Sequence, residues 1–206
     1  MNGDLFSTVG SLEKLPLEDA EIYYAENAPL PKRPTTLLNH LIIDTPWRSE
    51  SIVIWGRRHV QPRLIAWYGD PASNYKYSGI SLDPMPWTDE LTAVKAAIES
   101  FSGAQFNSVL LNYYRNNKDS MGFHSDDEPE LGFEPTISSL SLGAERVLTF
   151  RHRFNRQRPT VKLPLKSGSV LLMRGQTQRF WQHGIMKERL HCGPRVNLTF
   201  RQIRSI

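Results

Sequence analysis

The chain has 206 residues, of which 39% are hydrophobic, with 25 Lys+Arg against 21 Asp+Glu and a formal net charge of +4. That apolar content suffices for one packed domain and excludes disorder as the main state. No run of about 18 apolar residues is present to cross a bilayer. The single cysteine, Cys192, excludes both an intrachain disulfide framework and a Cys-built zinc site. A cytoplasmic or nuclear protein with no membrane contact, monomeric by default, is expected. The charge is unevenly spread. Residues 1–30 hold one base and six acids, residues 31–144 hold 10 bases and 13 acids, and residues 145–206 hold 14 bases and two acids, Glu145 and Glu188. The last segment is therefore net +12, the kind of concentration that phosphates attract.

Residues 1–36 are acidic and interrupted by Pro16, Pro29, Pro31 and Pro34. They read as a loosely ordered arm leading into the apolar segment 37–43. A single domain over 37–206 is expected after it. Residues 51–55 and 62–68 read as strands around a Gly56-Arg57-Arg58 turn, and residues 69–74 carry turn chemistry before Tyr75-Lys76-Tyr77. Residues 88–101 form the one clear helix. Thr88 caps it, Asp89 and Glu90 suit its first turn, Leu91, Val94, Ile98 and Phe101 share one face, and Gly103 ends it. Beyond it the pattern becomes short strands at 107–115, 137–142, 146–152, 160–164, 169–173, 179–183 and 195–202. Many strands and few helices predict a mainly β (α+β) sandwich or barrel. No internal repeat is visible.

His124-Ser125-Asp126 is a His-x-Asp. In an extended segment its two side chains project to the same side. A third ligand must come from elsewhere. His183, after the aromatic Phe180-Trp181 and before Gly184, is the leading candidate, and His191, near Lys187 and Arg189, is the rival. Two histidines and one carboxylate form the facial triad of non-haem Fe(II) oxygenases, which leaves three positions open. His152, between Arg151 and Arg153, reads as facing solvent or phosphate.

In residues 195–201, Arg195, Asn197, Thr199 and Arg201 alternate with Val196, Leu198 and Phe200. The pattern suits a half-exposed strand with arginines in water. It equally suits a polar face turned into a barrel, where guanidiniums require an anion such as a dicarboxylate. Asn112 and Tyr114 sit on one face of another strand.

Taken together, Asn112-x-Tyr114, His124-x-Asp126, His183 and the Arg195-x-Asn197-x-Thr199-x-Arg201 strand resemble the AlkB family of Fe(II)- and 2-oxoglutarate-dependent dioxygenases. The runs Asp126-Asp127-Glu128 and 194–201 are similar to its DNA-repair branch. The resemblance covers residues 50–204 and leaves the acidic arm aside. It implies a double-stranded β-helix (jelly roll) core over about 105–206, with a nucleotide-recognition lid over about 50–85. It implies that His124, Asp126 and His183 bind Fe(2+), and that Asn112, Tyr114, Arg195, Thr199 and Arg201, with Asn197 close by, hold 2-oxoglutarate. The family often has glycine three residues after the tyrosine. Here Asn117 stands there, a residue that tolerates the left-handed conformation.

The implied activity is oxidative demethylation of N-alkylated bases (1-methyladenine, 3-methylcytosine) in DNA. It consumes 2-oxoglutarate and O2 and releases succinate, CO2 and formaldehyde. A stacked base must be flipped or already unpaired for this. Ile54-Trp55 would be an apolar wedge beside Gly56, Arg57 and Arg58, Tyr75 and Tyr77 would stack on the base, and Asp127 would favour a cationic lesion. Arg151, Arg153, Arg156 and Arg158 remain for phosphates. The alternatives are the same chemistry on RNA or tRNA, and a non-enzymatic nucleic-acid-binding domain whose histidines are structural.

Overall fold

Seven strands assemble into one antiparallel sheet and four into another in the computed structural model of the chain, which describes residues 10–54, 57–71, 75–77, 80–82 and 84–204. The elements run β1 (Glu13–Lys14), β2 (Glu21–Ala25), α1 (Pro34–Asp44), β3 (Ser51–Ile54), β4 (Arg57–Val60), β5 (Leu64–Gly69), β6 (Tyr75–Tyr77), β7 (Ile80–Leu82), α2 (Asp89–Ser102), β8 (Ser108–Tyr114) and β9 (Met121–His124). They continue as β10 (Ile137–Gly143), β11 (Arg146–His152), β12 (Val161–Leu165), β13 (Val170–Arg174), α3 (Thr177–Phe180), β14 (Trp181–Ile185) and β15 (Arg195–Arg201). The large sheet has the order β1-β2-β13-β10-β15-β8-β5 and the small one β12-β11-β14-β9. Two further pairs, β3–β4 and β6–β7, stand apart as hairpins.

The two faces of the large sheet do different work. One packs on the helices: Leu37, Leu38 and Leu41 of α1 and Leu91, Val94 and Ile98 of α2 meet Val196, Leu198 and Phe200 of β15. The other faces the small sheet, where Ile22, Ile137 and Met173 meet Leu148, Phe150, Trp181 and Ile185. This two-layer arrangement is the jelly-roll core expected from the sequence. Helix α2 follows its signals closely. The Thr88 hydroxyl accepts from the Leu91 N–H at 3.2 Å, and Gly103 takes the left-handed conformation, φ 65°, at the end.

Two expectations need correction. From Gly10 onward the N-terminal segment is part of the fold and not a loose arm. β2 pairs with β13 from Glu21↔Arg174 to Ala25↔Val170, and Ile22 is fully buried. The Trp181 indole N–H donates to the Glu18 carbonyl at 2.9 Å. The segment's acidic composition hides this because only Ile22 and Ala25 of β2 are buried, and its partner strand lies far along the chain. Ile22→Ala is therefore expected to lower stability by about 2–5 kcal/mol, measurable by urea unfolding. A loose arm would leave the midpoint unmoved. Second, Arg179 and Phe180 do not begin a strand: they belong to α3, a single turn, and β14 starts at Trp181. The turn at Asn117 is present as expected, formed without the left-handed conformation, since Asp19 and Glu134 are the non-glycine residues with positive φ among those described. The Asn117 side-chain amide donates to the Glu188 carbonyl at 3.0 Å, tying two loops together.

Candidate active site

All seven residues of β15 are buried, which decides between the two readings of its alternation. Val196, Leu198 and Phe200 enter the helix-side core, while Arg195, Asn197, Thr199 and Arg201 line a cavity between the sheets. The same cavity is lined by Asn112 and Tyr114 of β8, by His124 and Asp126, and by His183 of β14. Register explains the convergence. Asn112 lies opposite Asn197 and Tyr114 opposite Arg195, so each pair shares one face. In the small sheet His124 of β9 lies opposite His183 of β14.

The His124 and His183 ring centroids are 4.4 Å apart. Asp126 closes the group, with Oδ1 3.8 Å from His124 Nε2 and Oδ2 3.8 Å from His183 Nε2. One ligand-type atom from each of the three lies within 4.8 Å of the others, a spacing a single metal ion can bridge. The tautomer of His124 suits that task. Its Nδ1 is 2.9 Å from the Gly122 carbonyl, so Nδ1 carries the proton and Nε2 keeps its lone pair. Burial, reinforced by neighbouring His124, pushes His183 down to about 3 against the pull of Asp126. Burial pushes the Asp126 carboxyl up, but Arg201 and the two imidazoles outweigh it and hold it at about 2. At neutral pH the group is thus two neutral imidazoles and a carboxylate, the ionisation state a metal requires. His191 is exposed in the loop after β14 and lies outside this cluster.

The other end of the cavity is built for an anion. Arg195 is 2% exposed and spends Nη2 on the Ser141 hydroxyl at 2.9 Å. Among the described residues its buried Nε and Nη1 meet no hydrogen-bond partner. Two adjacent donors left unpaired in a dry wall are costly unless a ligand meets them, and their fork matches a carboxylate. The Tyr114 ring lies 5.0 Å below the guanidinium. Asn112 Oδ1 accepts from Arg63 Nε at 2.7 Å, so what Asn112 can offer a ligand is its amide N–H. Arg201 lies instead at the histidine end, donating to Asp126 Oδ1 at 2.7 Å. The Asn197 amide is spent on Ser139 Oγ (2.7 Å) and the Leu140 carbonyl (3.0 Å), and Thr199 Oγ1 donates to Asn197 Oδ1 at 2.9 Å. These two residues shape the wall together with Ser139.

A family model described as the 2OG-Fe(II) oxygenase superfamily matches residues 22–201. The chain belongs to that superfamily. Among curated relatives, the chain is 43% identical over 175 residues to human alpha-ketoglutarate-dependent dioxygenase alkB homolog 3, covering 81% of this chain and 60% of the relative. It is 39% identical over 158 residues to human DNA oxidative demethylase ALKBH2, covering 74% and 60%. It thus spans about 60% of the length of these relatives. A solved structure titled "The structure of OsALKBH1" superposes with a TM-score of 0.60 at 19% identity, over 88% of this chain and 97% of that one, and shares the fold.

Both groups in the superfamily's name fit this cavity. The triad offers imidazole and carboxylate, the donor set of non-haem iron, and the unpaired Arg195 donors suit a carboxylate of 2-oxoglutarate. Asp127 does not line this cavity. It is half-exposed beside it and accepts from Arg153 Nη1 at 2.7 Å. Of the expected lid residues, Trp55 and Gly56 lie outside the described residues. Ile54 and Arg57 are paired in the β3–β4 hairpin, and Tyr75 and Tyr77 lie on β6. His152 does not face solvent or phosphate. It is buried, and its Nδ1 accepts from the N–H groups of Phe154 and Asn155 at 3.2 and 2.9 Å.

Sequence reasoning missed Gln178. From α3 its Oε1 accepts the Asp126 N–H at 3.0 Å and its Nε2 reaches Met173 Sδ at 3.4 Å, so the metal loop hangs on it. A glutamine beside an arginine-rich turn carries no sequence signal for this role. Gln178→Ala is expected to weaken iron binding about 10–100-fold, read by titration of the apoprotein with Fe(II) under anaerobic conditions. Undiminished affinity would reduce Gln178 to a packing residue.

Proposed function

We propose that the chain is an Fe(II)- and 2-oxoglutarate-dependent dioxygenase that oxidatively demethylates N-alkylated bases in DNA. The observation that carries this reading is the single cavity that joins the His124–Asp126–His183 triad to the unpaired donors of Arg195. The similarity to a relative named a DNA oxidative demethylase supports the substrate.

In this reading His124, Asp126 and His183 hold the iron, and Arg195, with Tyr114 and Asn112, holds the cosubstrate. When bound, iron, 2-oxoglutarate and O2 together supply the oxidising power that hydroxylates an N-methyl carbon, after which formaldehyde leaves the base and the cosubstrate leaves as succinate and CO2. The chain's own part is orientation and exclusion. Arg201 fixes one Asp126 oxygen, Gln178 fixes its backbone, and the Gly122 carbonyl fixes the His124 ring. Leu148, Leu165, Leu171 and Ile185 line the cavity with apolar surface and keep bulk water from it.

The lid assignment belongs to the same reading. Ile54, Trp55, Gly56 and Arg57 would open the stack from the β3–β4 hairpin, and Tyr75 and Tyr77 would receive the base. Asp127, tethered by Arg153, would face a cationic lesion at the rim rather than in the cavity.

The test is one assay matrix. The full chain is given Fe(II), ascorbate and 2-oxoglutarate with single-stranded DNA, duplex DNA or RNA carrying 1-methyladenine or 3-methylcytosine. Formaldehyde and base reversion are then measured. Turnover on DNA is the expected result. Iron-loaded protein inert on every substrate would overturn the reading, and turnover on RNA alone would reassign the substrate.

A further inference from the structure

The chain after β11 forms a built turn. The buried His152 imidazole anchors its start, and Asn155 Oδ1 accepts the Gln157 N–H at 3.0 Å. This turn holds Phe154 out of the fold with 69% of its surface exposed. Its ring stands edge-on to Phe180, with centroids 6.0 Å apart at 81°. Each of three neighbouring phenylalanines carries a guanidinium over its ring: Arg151 over Phe123 at 4.0 Å, Arg153 over Phe154 at 5.8 Å and Arg179 over Phe180 at 5.3 Å. A groove lined by Arg151, Arg153, Arg156 and Arg158 runs along the same turn.

Not every arginine there is available. Arg153 is held by Asp127 at 2.7 Å, and Arg158 by Glu18 at 2.7 Å and Asp19 at 3.2 Å. Among the described residues Arg151 and Arg156 have no carboxylate partner, and Arg151 bonds only the neutral Gln182 Oε1, at 3.0 Å. The strip therefore offers free cations beside an exposed ring. An acidic protein would use the cations and leave the ring idle, and a duplex keeps its base faces inside the stack. An unpaired strand presents phosphates and π-faces together, and every base has such a face. The strip also begins at the catalytic rim, because Arg153 grips Asp127, the residue after Asp126.

We infer that this strip binds an unpaired nucleic-acid strand flanking the target nucleotide, with a base on Phe154 and phosphates on Arg151 and Arg156. It rests on the nucleic-acid reading above and adds a surface outside the cavity. The test uses the full chain, fluorescence anisotropy with an unmodified thymidine 12-mer and with a blunt duplex of equal length, and formaldehyde release from a methylated trinucleotide too short to reach the strip. Phe154→Ala should weaken binding of the 12-mer at least about fivefold, Phe154→Trp should restore it, and duplex affinity should change less than about twofold. Arg156→Ala should lower the salt slope by about 0.7. Formaldehyde from the trinucleotide should be unchanged in all three variants. Wild-type binding of the 12-mer by Phe154→Ala, or an equal loss on duplex, overturns the strip even if the trinucleotide is demethylated. The anisotropy decides the strip and the formaldehyde decides the demethylase reading, so the two can fail separately.

Discussion

Replacing His183 with alanine is expected to abolish turnover and to cut iron affinity by more than about 100-fold, since even outer-shell losses cost 10–100-fold. The reason is geometric. His183 Nε2 is one of the three atoms facing the open centre of the triad, and among the described residues the group holds no histidine besides His124 and His183. The side chain is enclosed by His124 at 4.4 Å and Phe150 at 6.0 Å between ring centroids, so removal leaves a small cavity without disturbing a strand. Circular dichroism and the unfolding midpoint of the apoprotein should therefore stay close to wild type while anaerobic Fe(II) titration shows no saturable binding. His191→Ala is the control. It sits in an exposed loop and should retain both iron and activity. Iron-dependent turnover that survives in His183→Ala would sink the ligand assignment.

Arg195→Met carries effects of opposite sign on stability and function. Burial pushes the Arg195 guanidinium down from its ordinary value, and two of its donors stay unpaired in the ligand-free protein. An apolar side chain of similar length relieves that penalty, and replacement of poorly compensated buried charge raises stability by about 1–4 kcal/mol in other proteins. The variant should thus melt higher than wild type without ligand. Its affinity for 2-oxoglutarate should fall by about 30- to 5,000-fold, the equivalent of 2–5 kcal/mol for one partner of a buried pair. Added 2-oxoglutarate should raise the melting temperature of wild type and leave that of the variant unchanged. Arg195→Lys separates charge from shape, because an ammonium cannot fork onto a carboxylate, and it should recover only part of the affinity. A variant that melts lower and still binds 2-oxoglutarate would show that Arg195 is a structural residue.

How much of this was legible depended on the range of the interactions. Helix α2 could be read in full because Thr88, the Leu91–Val94–Ile98 face and Gly103 are local signals. β15 could be read as alternating, but its depth could not, because burial comes from β8 and β10 on either side. The His-x-Asp was visible as a pair. Its third member required the pairing of β9 with β14, a contact across some sixty residues of sequence that periodicity does not encode. β2 was lost in an acidic segment for the same reason. Gln178, Arg63 and Ser139 were invisible, since each acts through hydrogen bonds to partners far along the chain. Arg146, read only as one base of the +12 segment, is fully buried. It donates to the carbonyls of Asn116, Asp119 and Met186 and pairs with Glu188 at 3.1 Å.

The place of β15 in the large sheet bears on how the protein comes into being. In sequence it follows every other described strand, yet it sits between β10 and β8. Until it arrives, both neighbours present unpaired edges to solvent, the condition in which strands seek foreign partners. The nascent chain therefore cannot close its sheet or complete its cosubstrate wall until Arg201 has left the ribosome, and that closure joins contacts distant in sequence, which is slow. A chain cut short before Arg195 would be an aggregation hazard rather than a weakened enzyme, and chaperone demand should persist until β15 has emerged.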